Sequence, residues 1–152
     1  MRALVQRVSK ASVRVEGRLT GAIGTGLLVL VGATHTDDDA AADWLARKVS
    51  ELRVFADGEG RMNLDLRQVA GAALVVPQFT LYGDARRGRR PDFLQAARPE
   101  LASALVDRFC AALERAGLPV ARGVFGAHME VELLNDGPVT LMIENPGPSE
   151  AS

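Results

Sequence analysis

The chain has 152 residues, 47% hydrophobic and 24% charged, with 18 basic against 19 acidic side chains and a formal net charge of −1. That length suits one domain able to bury roughly 68 to 70% of the surface its unfolded form exposes, and the composition excludes wholesale disorder, collagen-like repeats and coiled coils. Near-neutrality excludes a global field that would gather nucleic acid, so any RNA contact has to be local.

The single Cys110 cannot form an internal disulfide, and no Cys and His cluster has metal-ligand spacing. A reducing compartment, no metal and no cofactor are the expectation. The start, Met1 to Arg7, is broken by charge every few residues and lacks the apolar core of a signal peptide. The longest apolar run, Leu27 to Val31, falls far short of the about 20 residues a bilayer demands. Cytoplasmic location without membrane association is therefore expected. The cations are 16 Arg and two Lys, Lys10 and Lys48. Arg offers phosphate a planar fork, but a GC-rich genome explains the bias as well, so position carries more weight than number.

In chain order, Ala3 to Val8 and Val13 to Glu16 alternate with period two and predict strands, and Leu27 to Gly32 reads as a buried strand bounded by glycines. Gly21 to Gly26 lacks both the Lys-Ser/Thr of a phosphate loop and the third glycine of a dinucleotide fingerprint, so it reads as a strand connection. Asp37, Asp38 and Asp39 precede Ala41, Leu45, Val49 and Leu52 at helical spacing, which makes the acids a cap. Arg53-Val54-Phe55 and Arg61-Met62-Asn63 flank the turn signal Asp57-Gly58-Glu59-Gly60 and predict a short hairpin. Ala72 to Val76 predicts an apolar strand running into Pro77-Gln78-Phe79-Thr80-Leu81, where Pro77 removes a ladder donor and marks a strand end or irregular edge.

Pro99 and Glu100 open a second helix with Leu101, Leu105, Phe109 and Leu113 on one face, stopped by Gly117 and Pro119. Met129, Val131 and Leu133 alternate with Glu130 and Glu132, and Asn135-Asp136-Gly137-Pro138 turns the chain into Val139, Leu141 and Ile143. These predict a C-terminal hairpin, with 146–152 a disordered tail after a single domain, 1–145. The fold class is α+β: an antiparallel, barrel-like sheet with two main helices packed on it.

No standard catalytic set is present. His35 and His128 are the only histidines, and neither sits in a metalloprotease or triad signature, so structural roles are the commoner outcome. Cys110, amid Phe109, Ala111 and Ala112, reads as a small buried hydrophobe. The Thr80 hydroxyl has no base adjacent in sequence. Arg86, Arg87, Arg89 and Arg90 form either a solvated loop or a phosphate-contacting one.

Taken together, Arg2-Ala3-Leu4-Val5-Gln6-Arg7-Val8, Pro77-Gln78-Phe79-Thr80-Leu81, Gly88-Arg89-Arg90-Pro91 and Asn135-Asp136-Gly137-Pro138-Val139-Thr140 resemble the bacterial D-aminoacyl-tRNA deacylase family over nearly the whole chain. The resemblance implies a homodimeric editing enzyme that hydrolyses the ester between a D-amino acid, or glycine mischarged on tRNA-Ala, and the terminal adenosine of tRNA. It further implies that Gln78, Phe79 and Thr80 supply the catalytic segment, with backbone N–H groups around the aminoacyl carbonyl. Gly137, Pro138, Val139 and Thr140 would reject L-amino acids sterically, with a Gly-cisPro pair entering from the partner subunit, and the RNA 2′-hydroxyl would assist the attack.

The chain departs from the family at Pro77, where the first motif normally begins with Ser. An animal-type tRNA deacylase of looser chirality is similar in having Pro-Gln there, which keeps a relaxed deacylase open as a second reading. Phe79 and Val139 match the D-specific group. A non-catalytic RNA-end or aminoacyl-binding module and a hydrolase of small non-RNA esters are compatible with the same residues.

Overall fold

The computed structural model describes residues 1–147. Strands β1 (Arg2–Val15), β2 (Arg18–Ile23) and β3 (Gly26–Gly32) lead into α1 (Asp39–Glu51), and β4 (Phe55–Ala56) with β5 (Met62–Leu64) forms the predicted small hairpin. β6 (Ala72–Pro77) ends in a 3-10 turn (Phe79–Tyr82), after which come α2 (Pro99–Arg115), β7 (Val120–Arg122) and β8 (Glu130–Glu144). The predicted tail, 146–152, falls mostly outside the described residues. No helix among the described residues is long and apolar enough to cross a membrane.

The main sheet runs β2-β1-β3-β6-β7, with β8 on the other side of β1. β1 pairs antiparallel with β2, β3 and β8, whereas β3 with β6 and β6 with β7 are parallel. The sheet is thus mixed, which corrects the purely antiparallel expectation. α1 and the hairpin supply the crossover between β3 and β6, and α2 supplies the one between β6 and β7, as parallel neighbours require. The sheet curls nearly closed: a Cβ on Gly21 of β2 would meet the Arg122 carbonyl of β7 at 2.8 Å.

Because the sheet is covered on one face and curled over the other, it buries residues on both. Leu27, Val29, Val31, Ala73 and Val75 join Leu45, Val49, Leu105, Phe109 and Leu113 beneath the helices, while Leu28, Leu74 and Val76 join Val8 and Val13 inside the barrel. That explains the unbroken apolar runs of β3 and β6. Asp38 caps α1 as predicted, its side chain accepting from the Ala41 N–H, and Gly117 at φ +87° ends α2.

Two segments differ from the sequence reading. Gly21 to Ile23 belongs to a strand, β2, so only Gly24 and Thr25 connect. The C-terminal hairpin is instead one 15-residue strand along β1. Between the rungs Val8↔Asn135 and Gln6↔Thr140, β8 sets four residues, Asp136 to Val139, against the single Arg7. The turn-forming Asn-Asp-Gly-Pro run is used as a wide bulge, because β1 continues past it on both sides.

Candidate active site

At the end of β6 a cavity of about 640 Å³ opens. Its walls are Val76 to Phe79, the segment containing Phe93, Ala97 and Arg98, the first turn of α2, and Phe125 to Met129 with Val131. Gln78 and Phe79 of the predicted set line it; Thr80 follows within the adjoining turn.

The turn is held from several sides. The Gln78 N–H donates to the Val31 carbonyl at 2.7 Å, and the Leu81 N–H to the Gln78 carbonyl at 3.2 Å. Arg2 donates to the Leu81 carbonyl at 2.9 Å and lies 4.4 Å from the centroid of the Tyr82 ring. Burial raises the Tyr82 hydroxyl above the ordinary tyrosine value. The Phe79 and Thr80 N–H groups, the first of the turn, donate to no acceptor among the described residues. The Gln78 side-chain amide donates to the Thr80 hydroxyl. Phe79 is 56% exposed and meets Phe93 edge-on, with ring centroids 5.1 Å apart.

The facing wall is anchored by main-chain acceptors. Thr34 donates to the Gln95 carbonyl, His35 Nε2 to the Leu94 carbonyl at 2.7 Å, and the Ala97 N–H to the Ala33 carbonyl at 2.9 Å. His35 is therefore a structural brace. His128 lines the cavity and is exposed. Cys110 is fully buried in α2, and desolvation pushes its thiol up to about 11, which leaves it inert at neutral pH.

The second motif lies elsewhere in the chain. None of Gly137, Pro138, Val139 and Thr140 lines the cavity; β1 and β3 separate β8 from β6, which places the strands about 14 Å apart across the sheet. The Gly137-Pro138 bond is cis. A Cβ on Gly137 would meet the Val139 backbone nitrogen at 2.5 Å, so only glycine fits. Asn135 clamps the bulge: its Oδ1 accepts from the Val139 N–H at 2.8 Å and its Nδ2 donates to the Thr140 hydroxyl at 3.0 Å, which also accepts from Gln6 at 3.2 Å. Arg7 donates to the Asp136 carbonyl at 2.7 Å and to the Val54 carbonyl at 2.6 Å. Val139 itself is turned into the core.

The arginine loop springs from the cavity wall. Asp84 and Asp92 exchange backbone hydrogen bonds at its base, next to Phe93. Arg86 is committed to Asp84, at 2.7 and 2.9 Å, and its guanidinium, with backbone N–H help, holds that carboxyl at about 2. Arg87, Arg89 and Arg90 are exposed and make no hydrogen bond or ion pair among the described residues.

Several contributors received no role from the sequence reading: Phe93, Arg98 and the Phe125 segment in the cavity, and Gln6, Arg7 and Asn135, which stand in its motifs, behind the bulge. Arg7 carries a signal that could have found it. It sits in phase with the inward-facing Ala3 and Val5, where a charge is out of place unless it binds something.

A second cavity of about 650 Å³ lies beside Trp44 and Tyr82. Asp37, Asp38, Asp43 and Glu144 line it, along with Arg2 and Arg47, and it contains none of the predicted site residues.

Among solved structures, the chain is similar to the c-Myc DNA unwinding element binding protein, with a TM-score of 0.90 and 38% identity, over 97% of this chain and 100% of that one. A probable eukaryotic D-amino acid tRNA deacylase matches with a TM-score of 0.80 at 21% identity, over 93% and 97% of the two chains, a likeness of fold alone. The chain thus shares its fold with both proteins. The family model for D-Tyr-tRNA(Tyr) deacylase matches residues 4–144. D-aminoacyl-tRNA deacylase of Chloroflexus aurantiacus is 59% identical over 95% of this chain and 91% of its own length. That of Chloroherpeton thalassium is 57% identical over 99% of both. The chain belongs to the D-aminoacyl-tRNA deacylase family and is a hydrolase.

Proposed function

We propose that the protein cleaves the ester between a D-amino acid, or glycine mischarged on tRNA-Ala, and the terminal adenosine of tRNA, releasing free amino acid and tRNA in the cytoplasm. The observation that carries this is the pair of unengaged N–H donors on Phe79 and Thr80, at the start of a braced turn beside a cavity that Gln78 and Phe79 line. An activated ester requires chiefly placement and oxyanion stabilisation, and each preorganised donor contributes about 2.7 to 4 kcal/mol. The Thr80 hydroxyl, bonded to Gln78 and without a neighbouring base, is left a positioning role. The RNA 2′-hydroxyl then assists the attack on the carbonyl.

Chirality demands more than a side-chain pocket, which separates substrates differing by one methylene by only about 1 to 3 kcal/mol. A backbone wall at Gly137-Pro138 rejects L side chains sterically and admits glycine. Because that wall lies apart from the cavity of its own chain, it serves the cavity of a second copy, in a twofold dimer with two composite sites. The open edge of β8 and the exposed Leu134, Leu141 and Met142 along it suit such an interface. A relaxed-chirality deacylase is the second reading, favoured by Pro77 on the cavity wall.

Deacylation assays with D-Tyr-tRNA, L-Tyr-tRNA and Gly-tRNA test the substrate reading; no turnover of D-Tyr-tRNA refutes it, and brisk turnover of L-Tyr-tRNA favours the second. Mixing two inactive homodimers, one altered at Phe79 and one at Gly137, tests the composite site. Heterodimers should regain activity, and heterodimers that form without regaining it refute the shared arrangement.

A further inference from the structure

We infer that Arg98 is the residue that holds the last phosphodiester of the RNA, with the terminal nucleoside and its aminoacyl ester lying in the cavity beyond; this rests on the deacylase reading of the site. Arg98 lines the same cavity as Gln78 and Phe79. Among the described residues it is the one permanently charged group there: no carboxylate of theirs contributes to the wall, and His128 is the other titratable side chain. The second cavity, by contrast, mixes four carboxylates with Arg2 and Arg47. An anionic RNA end is favoured by the first, whose permanent charge is positive.

Many arginines of this protein are already engaged. Arg2, Arg7, Arg53, Arg86, Arg108 and Arg122 all donate hydrogen bonds to protein acceptors. Arg98 makes no hydrogen bond from its side chain and no ion pair among the described residues, and it is exposed. Its backbone, however, is fixed. The preceding Ala97 N–H donates to the Ala33 carbonyl, and the Arg98 carbonyl accepts from the Ala102 N–H, each at 2.9 Å. The guanidinium thus projects, without a protein partner among the described residues, from a backbone tied at both sides.

Local stability gives no reason for an arginine at this position. Arg98 is the N-cap of the 17-residue α2, ahead of Pro99, and supplies no side-chain cap. Ser, Thr, Asp or Asn would accept from the first turn, as Asp38 does for α1. A cation there also faces the positive end of the helix. A residue that contradicts its local rule on the wall of an active-site cavity is best explained by what the cavity binds. A volume of about 640 Å³ is that of a small-ligand site. A nucleoside bearing one aminoacyl group fits it, and the attached phosphate then falls at the rim, where the planar fork of Arg can take two oxygens.

The test compares wild type, Arg98→Ser and Arg98→Lys. Binding of an uncharged tRNA acceptor minihelix ending in CCA is titrated across salt concentration. Arg98→Ser should weaken it about tenfold and flatten the log-log salt slope by about 0.7, one single-strand phosphate contact, while Arg98→Lys keeps most of the slope. The ratio of kcat/KM on D-Tyr-tRNA to that on 3′-O-(D-tyrosyl)adenosine, which has no phosphate, should also fall about tenfold. The melting temperature of Arg98→Ser should rise, since serine caps the helix. Unchanged affinity and slope overturn the inference, as does an equal loss on both esters, which would mean that Arg98 only shapes the wall. Absence of turnover by wild type refutes the deacylase reading itself, while the minihelix titration still decides on Arg98.

Discussion

Gly32 is the position where a single added carbon should separate site geometry from stability. It ends β3, and a Cβ there would lie 2.8 Å from the Gln78 carbonyl oxygen and 3.4 Å from Leu81 Cβ and Tyr82 Cδ2. A carbon and a carbonyl oxygen meet comfortably at about 3.3 to 3.6 Å, so the first contact must open by roughly 0.5 Å. The obstacle is backbone, and that carbonyl also accepts from the Leu81 N–H. Relief therefore displaces the start of the turn that carries the Phe79 and Thr80 donors. Since a 1 Å misplacement can cost about 10²-fold in rate, half of it should cost Gly32→Ala about tenfold in kcat, or roughly 1.4 kcal/mol of barrier. Overpacking costs about 1 to 3 kcal/mol and the stiffer unfolded chain returns about 0.4 to 1. A net loss near 1 kcal/mol lowers the melting temperature by about 2 to 4 °C in a chain of this size. The assay is D-Tyr-tRNA deacylation well below the melting transition, with Gly24→Ala as control because its Cβ meets nothing within 4 Å. Wild-type kcat in Gly32→Ala, with the expected drop in melting temperature, would refute the claim that the placement of this turn sets the rate.

Three further outcomes follow from the same geometry. His35→Ala, His128→Ala and Cys110→Ala should each keep kcat/KM within about tenfold, under 1.4 kcal/mol; a thousandfold loss in any folded variant would expose an acid–base or nucleophilic role. Replacing Arg87, Arg89 and Arg90 by Gln should flatten the salt dependence of tRNA binding by about 0.7 in log-log slope for each phosphate that is no longer neutralised, while Arg86→Gln, which removes a cation already held by Asp84, should change it less. Asp84 is held at about 2, first by the Arg86 side chain. Its contact with Arg86 should therefore be complete above the ordinary Asp value near 4 and disappear as pH falls from there through about 2. Amide exchange at Arg86 measures that loss, and Asp84→Asn should abolish the pH dependence.

Much of the architecture is legible in the sequence because local patterns and tertiary packing agree. The apolar faces of α1 and α2, the cap at Asp38, the stop at Gly117 and the buried run of β3 all depend on neighbours a few residues away. The direction of the sheet is not local. Nothing in Ala72 to Val76 says whether β3 beside it runs parallel, because a strand buried on both faces reads alike in either arrangement. Asn135-Asp136-Gly137-Pro138 carries the strongest turn signal in the chain, yet β1 is long enough to pair on either side of it. Sequence reasoning sees the turn chemistry and not the strand that overrides it. The site shows the same division. Gln78 and Phe79 are legible through their motif, while Phe93, Arg98 and Phe125 reach the cavity only through tertiary contacts of α2 and the barrel.

Pro77 shows how the site can change without disturbing the scaffold. β6 lies between β3 and β7, where a proline should cost a ladder bond. Along this strand the N–H groups alternate in direction. Ala73 donates toward β7, to the Pro119 carbonyl, whereas Gln78 donates to Val31 of β3. By that alternation the nitrogen of residue 77 points toward β7, but the pairing of β6 with β7 ends at Val75↔Arg122. No rung exists there for Pro77 to break, and the next residue restores the bond to β3 at 2.7 Å. Proline can therefore stand where the family's motif begins with Ser at no cost in sheet hydrogen bonds. What differs is the cavity wall, which gains a rigid ring and loses a hydroxyl next to Gln78. Residue 77 is thereby released from the fold, so the cavity wall can change at this one position while β6, the turn and the helices stay as they are.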